Sequence, residues 1–251
     1  MTSSTLRQAH AVLDLPSRQL KAIKIERLLN LRPRDEPIRI LEIGCGSGGI
    51  SHYFATHQEL DCTVDAIDVV DNRLISEGYE FRIVEDVRLP FPDQVFDVVI
   101  TNHVIEHVGE KAQQIAHLAE IKRVMKSDGS GYLAVPNRWQ LVEPHYQLAF
   151  LSWMPRSIRT PYLKFMRKGV FYDCEPLTVA ELEGLLSGAG FSFENVCTQA
   201  TRLMFTIERP QATITALIER VPDMWFRPFK MLIPTLIYLF RPNGGEPNSS
   251  A

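Results

Sequence analysis

Cysteine is scarce, four residues in 251 (Cys45, Cys62, Cys174 and Cys197), with no C-x-x-C pair and no metal-like spacing. That argues against a disulfide framework and makes free thiols in a reducing, cytoplasmic compartment the expectation. Long apolar runs are missing too. The longest, residues 231–240, reaches about half a bilayer crossing and contains Pro234. The stretch MTSSTLRQAHAVLDLP lacks the apolar centre of a signal peptide. No sign of charge dominates. The net charge of -3 gives no support for wholesale nucleic-acid binding, which needs a strongly basic face. No internal repeat and no low-complexity tract interrupts the chain, so its 45% hydrophobic content points to one packed domain over 1–251.

What is present is an alternation of strand and helix patterns, which predicts a mostly parallel sheet covered on both faces. An N-terminal helical segment, 1–37, carries a helix over 17–31 with apolar Leu20, Ile23, Leu28 and Leu31. The core, 38–137, reads as strands over 38–43, 63–67, 81–84, 96–101 and 132–135, with helices to about residue 56 and over 112–125. The run FDVVIT at 96–101 suits the sheet centre. Residues 127–131, SDGSG, read as a turn. After Pro136 the rhythm breaks, and 138–175 reads as an insertion over one end of the sheet. The part 176–242 predicts a helix over 178–187, strands over 191–196 and 235–240, and a helical excursion over 212–220. The tail 243–251 reads as disordered.

The densest signal is LEIGCGSGG at 41–49, four glycines in six residues behind an apolar strand. Gly44, Gly46 and Gly49 fit the G-x-G-x-x-G spacing of dinucleotide sites, and Asp68 stands where an acid would take a ribose. Glu42 argues otherwise. A carboxylate two residues ahead of the first glycine repels a diphosphate and welcomes a cation. S-adenosylmethionine is such a ligand, with an ammonium, a sulfonium, a ribose and no phosphate.

Four segments in order, LEIGCGSGG, then AIDVVD at 66–71, then EDVRLPFPDQVFDVVITNHVIEHV from Glu85, then EIKRVMKSDGSGYLAVPN from Glu120, resemble the motifs of class I S-adenosylmethionine-dependent methyltransferases of the type 11 group. The likeness covers about 38–137, with a weaker echo in TVAELEGLLSGAGF. It implies a Rossmann-like, doubly wound, mostly parallel seven-stranded α/β sheet and S-adenosyl-L-methionine as cofactor. Carried over by position, Glu42, Gly44, Cys45, Gly46 and Gly48 form the methionine-side loop, and Asp68 binds the ribose hydroxyls. Asp86 with the Val87 amide reads the adenine edge, and Asn102 faces the methionine portion. The chain departs from the family at 127–130, where a proline and paired glycines are usual. Plainer readings stand beside these: Asp68 as a turn or helix cap, Asp86 as a partner of Arg88.

His103-Val104-Ile105-Glu106-His107 also fits the H-x-x-E-H pattern of zinc peptidases. It follows a buried strand and offers no identifiable third ligand, so no metal is expected. His103 then lines the cofactor pocket, and His107 is structural. Transfer to a hydroxyl needs a proton acceptor. His145, in Glu143-Pro144-His145-Tyr146 just past the fifth strand, is the best candidate, with a packed loop histidine as the plain alternative.

Between Phe150 and Tyr172 stand Arg156, Arg159, Lys164, Arg167 and Lys168, with no acid among them and six aromatics interleaved. This stretch reads either as a solvated helix face whose aromatics pack down onto the sheet or as an aromatic and basic lid that, with the cluster 224–230, favours a bulky acceptor and peripheral membrane-surface contact through 150–172 and 224–240. The expected activity is O-methylation of a carbohydrate, lipid-linked sugar or specialised metabolite. C-methylation of a quinone-like or lipid ring, to which the apolar 231–240 region is suited, and a non-catalytic cofactor-binding module are the alternatives. Nucleic acid is not an expected partner, since the chain lacks the N/D-P-P-Y/F motif of base amino-group methylation.

Overall fold

The structure, a computed structural model, describes residues 14–143, 145–208 and 233–244. Its elements run α1 (Leu15–Leu29), β1 (Ile38–Ile43), α2 (Gly49–Ala55), β2 (Cys62–Asp68), β3 (Glu80–Ile83), β4 (Phe96–Asn102), α3 (Lys111–Val124) and β5 (Met125–Pro136). A two-stranded hairpin, β6 (Val142–Glu143) and β7 (Leu148–Ala149), follows, then α4 (Arg156–Phe165), α5 (Val179–Gly188), β8 (Phe191–Asn195), α6 (Cys197–Glu208) and β9 (Thr235–Pro242). Seven strands form one sheet in the order β3-β2-β1-β4-β5-β9-β8. All neighbours pair parallel except β9, which runs antiparallel to both β5 and β8. This is the doubly wound α/β architecture that the strand and helix alternation predicts.

The reasons are local. Ile40, Leu41, Val99 and Ile100 are buried because the central strands are covered on both faces by helices. Pro16 fits the first turn of α1, and Asn30 closes that helix in the left-handed region at φ 52°. Thr178 and Glu181 form a reciprocal cap on α5, each side chain taking the other's backbone amide.

Three differences from the sequence reading have physical causes. Residues 127–131 are not a free turn but part of the twelve-residue β5. The pairing with β4 jumps from Phe96–Met125 to Val98–Ser130, so the turn-forming residues are absorbed as an irregularity inside the strand. Gly131 is required there, because a Cβ would lie 2.1 Å from the Phe240 ring. Helix α6 has no counterpart in the predicted elements, whose helix at 212–220 lies outside the described residues. Residues 235–240 belong to β9, with Leu236, Ile237, Tyr238 and Phe240 buried. They are core, so they present neither a membrane surface nor an apolar acceptor face. The cluster 224–230 and the tail beyond 244 lie outside the described residues. Among the described residues no helix is long and apolar enough to cross a membrane.

Candidate active site

The carboxyl ends of β1, β2 and β4 open onto a cavity of about 920 Å³, in the crevice where the strand order reverses about β1. The glycine loop forms one wall. It is tied to the neighbouring strand by amides of Gly44 and Cys45 donating to the Ile67 carbonyl at 2.8 and 3.2 Å. Gly44 has φ +74°, and a Cβ there would meet Val104 Cγ2 at 2.5 Å, so both conformation and space demand glycine. Gly44, Cys45 and Gly46 face the cavity with Ser47. Gly48 does not; it caps α2 from outside the cavity lining.

Glu42 lines the same wall and is 2% exposed, its Oε2 accepting from the Ser51 hydroxyl. Burial pushes its carboxyl up to about 8, against the opposing pull of that hydrogen bond and of Arg18. Asp68, at the end of β2, accepts from the Gly46 amide at 2.8 Å through Oδ2 and from its own neighbour Val69 at 2.7 Å through Oδ1. It is therefore a turn-forming acid, as the plain reading had it, and a cavity residue too, each oxygen keeping a further lone pair for a hydroxyl donor. Asn102 lines the cavity with a buried Oδ1 that has no hydrogen-bond partner among the described residues. Asp86 and Val87 are the exception. Asp86 is exposed, accepts from the Val87 amide at 2.6 Å, and neither residue lines the cavity; Val84 does.

Across from the loop, three imidazoles converge. His103 follows β4 in the left-handed region at φ 60°, held by its amide to the Ala134 carbonyl at 2.9 Å. Its Nδ1 lies 3.3 Å from Oε1 of Glu106, a carboxylate that is 1% exposed and makes no hydrogen bond among the described residues. Burial lowers His103 below the usual histidine value, with Glu106 pulling the other way. His145 comes from the hairpin, with Nδ1 2.7 Å from Oε1 of Glu143, whose Oε2 accepts from the Tyr146 amide at 2.8 Å. Burial opposes charge on His145. The Glu143 carboxylate outweighs it, helped by Glu106 and Asp173, and the imidazole sits above its ordinary value. His107 packs edge-on against His145 with ring centroids 5.2 Å apart, and its Nδ1 lies 3.7 Å from Cys174 Sγ.

Sequence reasoning placed His103 and His145 in this pocket, and both line it. It missed Glu143 as the orienting carboxylate, because a two-residue spacing means little before the hairpin is known. It also missed Arg18 and Lys21, which α1 contributes to the wall, and Asp173 and Cys174, which arrive from about thirty residues downstream. The third metal ligand that spacing could not supply is likewise brought by the fold. His107, His145 and Cys174, and also His103, Glu106 and His145, hold potential ligand atoms within 4.8 Å of one another. In both trios the shared imidazole is His145, whose Nδ1 is engaged by Glu143.

Residues 41–133 match the family model described as "Methyltransferase domain". Ajmaline N-methyltransferase of Rauvolfia serpentina is 26% identical over 98 residues, 36% of this chain and 34% of that protein. Ubiquinone biosynthesis O-methyltransferase of Rickettsia akari is 27% identical over 169 residues, 59% of this chain and 62% of that one. Among solved structures, the [4+2]-cyclase SpnF aligns over 95% of this chain and 85% of its own at a TM-score of 0.54, with 17% identity. Residues 41–133 are thus similar to a methyltransferase domain, and the fold is shared with solved S-adenosylmethionine-dependent methyltransferases. The chain spans between a third and two thirds of the length of the first curated relatives it matches.

Proposed function

We propose that the chain transfers the methyl group of S-adenosylmethionine to a hydroxyl of a carbohydrate, lipid-linked sugar or specialised metabolite. The observation that carries the reading is the pairing, in one cavity, of a carboxylate-bearing glycine loop with an imidazole backed by a buried carboxylate. Glu42 and Asn102 offer oxygens to the ammonium, Asp68 to the ribose, and Arg18 and Lys21 charge to the carboxylate of the amino-acid end. That donor set fits one ligand that carries an ammonium, a ribose and a carboxylate.

S-adenosylmethionine supplies an electrophilic methyl group. The chain's own residues supply alignment and a proton acceptor. Glu143 holds Nδ1–H of His145 and so fixes the tautomer whose Nε2 takes the proton from the acceptor hydroxyl; its charge then stabilises the imidazolium that forms. The ubiquinone-pathway relative supports oxygen as the receiving atom, and the raised histidine supports a base rather than a mere orienting group. Buried thiols at Cys45, Cys174 and Cys197 suit a reducing, cytoplasmic setting.

The test is label transfer from methyl-labelled cofactor to hydroxylated acceptors in cell extract. His145→Gln is expected to slow transfer by about 100- to 10,000-fold while cofactor affinity holds. An unchanged rate overturns the base assignment.

A further inference from the structure

We propose that the outer surface of the insertion docks on an anionic phospholipid membrane. This deepens the reading above by naming where the acceptor is met, and it rests on that reading only for what the face delivers.

Helix α4 is apolar on two sides. Leu163 packs inward with buried Arg159, while Ile158 and Phe165, seven apart, face outward, and half-buried Tyr162 packs against the inner cluster between them. Phe165 is 82% exposed, and the segment after it continues with exposed Met166, Val170 and Phe171. A second exposed apolar group adjoins through the Tyr162 hydroxyl, which donates to the Ala149 carbonyl of the hairpin at 3.4 Å. There Trp139, Phe150 and Trp153 pack edge to face, with centroids 5.6 and 5.2 Å apart, beside exposed Leu141 and Val142. An apolar surface of this extent on one segment marks an interaction site rather than scatter.

Charge decides the occupant. Of the five cations between Phe150 and Tyr172, Arg156 and Arg159 are spent on Glu175 and Glu110. Lys164, Arg167 and Lys168 are exposed around the Phe165 group, and no acid lies in that interval. Basic side chains around protruding aromatic and aliphatic ones match an anionic interface, where the rings enter the headgroup boundary and the cations meet phosphate. A protein partner would call for acids in the rim as well, and an RNA would leave Phe165, Met166 and Val170 unused. Val142 belongs both to this face and to the cavity wall, so a molecule lying in the membrane surface reaches the imidazoles without crossing water.

The experiment is co-sedimentation of the full chain with vesicles of phosphatidylcholine alone, and of phosphatidylcholine with about 30% phosphatidylglycerol. Binding to the second and not the first, weakened by salt, is the expected result. Phe165→Ser is expected to reduce it by about tenfold, and Lys164→Glu with Lys168→Glu by at least about tenfold, since each basic residue contributes about fivefold. Both variants keep wild-type thermal unfolding and S-adenosylhomocysteine affinity, which separates this proposal from the fate of the methyl-transfer reading. Absence of vesicle binding, equal binding to both compositions, indifference to Phe165→Ser, or capture of single-stranded RNA in place of vesicles overturns it.

Discussion

Binding of S-adenosylhomocysteine is expected to expel a proton, and the amount is set by one residue. Glu42 is buried, and its carboxyl is pushed up to about 8 by that burial. Near pH 7 the ligand-free protein then holds a proton on Glu42 in about nine molecules of ten. The ammonium of the ligand pairs with the ionised form, so binding at pH 7 releases about 0.9 proton, falling to about half a proton at pH 8. The sign for affinity follows: the bound state prefers the deprotonated carboxylate, so observed affinity rises by up to about tenfold per pH unit below 8 and levels off above it. The sign for folding is the reverse. The ligand-free fold retains a proton that the unfolded chain gives up near the ordinary carboxyl value of 4.5, so Glu42's contribution to stability is complete below that value and is lost as pH rises to about 8. Isothermal titration calorimetry in buffers of different ionisation enthalpy reads the proton count directly. Glu42→Gln is expected to abolish the release and to weaken binding by about 10- to 100-fold, the worth of a hydrogen bond to a charged group. Zero proton exchange in the wild type at pH 7, or identical exchange in the variant, refutes the assignment of Glu42 to the ammonium.

Two other expectations are independent of it. Asp68→Ala removes the acceptor for both the Gly46 and Val69 amides as well as the proposed ribose contact, so cofactor affinity is expected to fall below detection, and the glycine loop to lose protection in hydrogen exchange. Metal analysis of purified protein is expected to find less than stoichiometric zinc. One zinc per chain, removed by chelator together with activity, would make His145 a ligand instead of a base.

Sequence legibility followed how local each cause is. Strands β1, β2 and β4 announce themselves by short runs rich in buried aliphatic residues, as a parallel sheet covered on both faces needs, and Gly44 and Glu42 because they fall within three residues of one another at the strand-to-loop junction. The β5 irregularity did not, since SDGSG has the chemistry of a turn and only its pairing with β4 shows it inside a strand. The acceptor side was legible only as a list of candidates. His145 stood out by residue type, but its dependence on Glu143, its contact with Cys174 and the arrival of Arg18 and Lys21 from α1 are products of long-range packing. Asp86 shows the converse case. It occupies the family's motif position, yet it is exposed and Val84 takes the place on the cavity wall.

The most direct test of the central claim, that a buried carboxyl group beside a tight glycine bend selects a cationic nucleoside, is paired titration of the purified chain with S-adenosylhomocysteine and with NAD. Saturable binding of the first and none of the second is the predicted result; uptake of NAD with indifference to S-adenosylhomocysteine would contradict it.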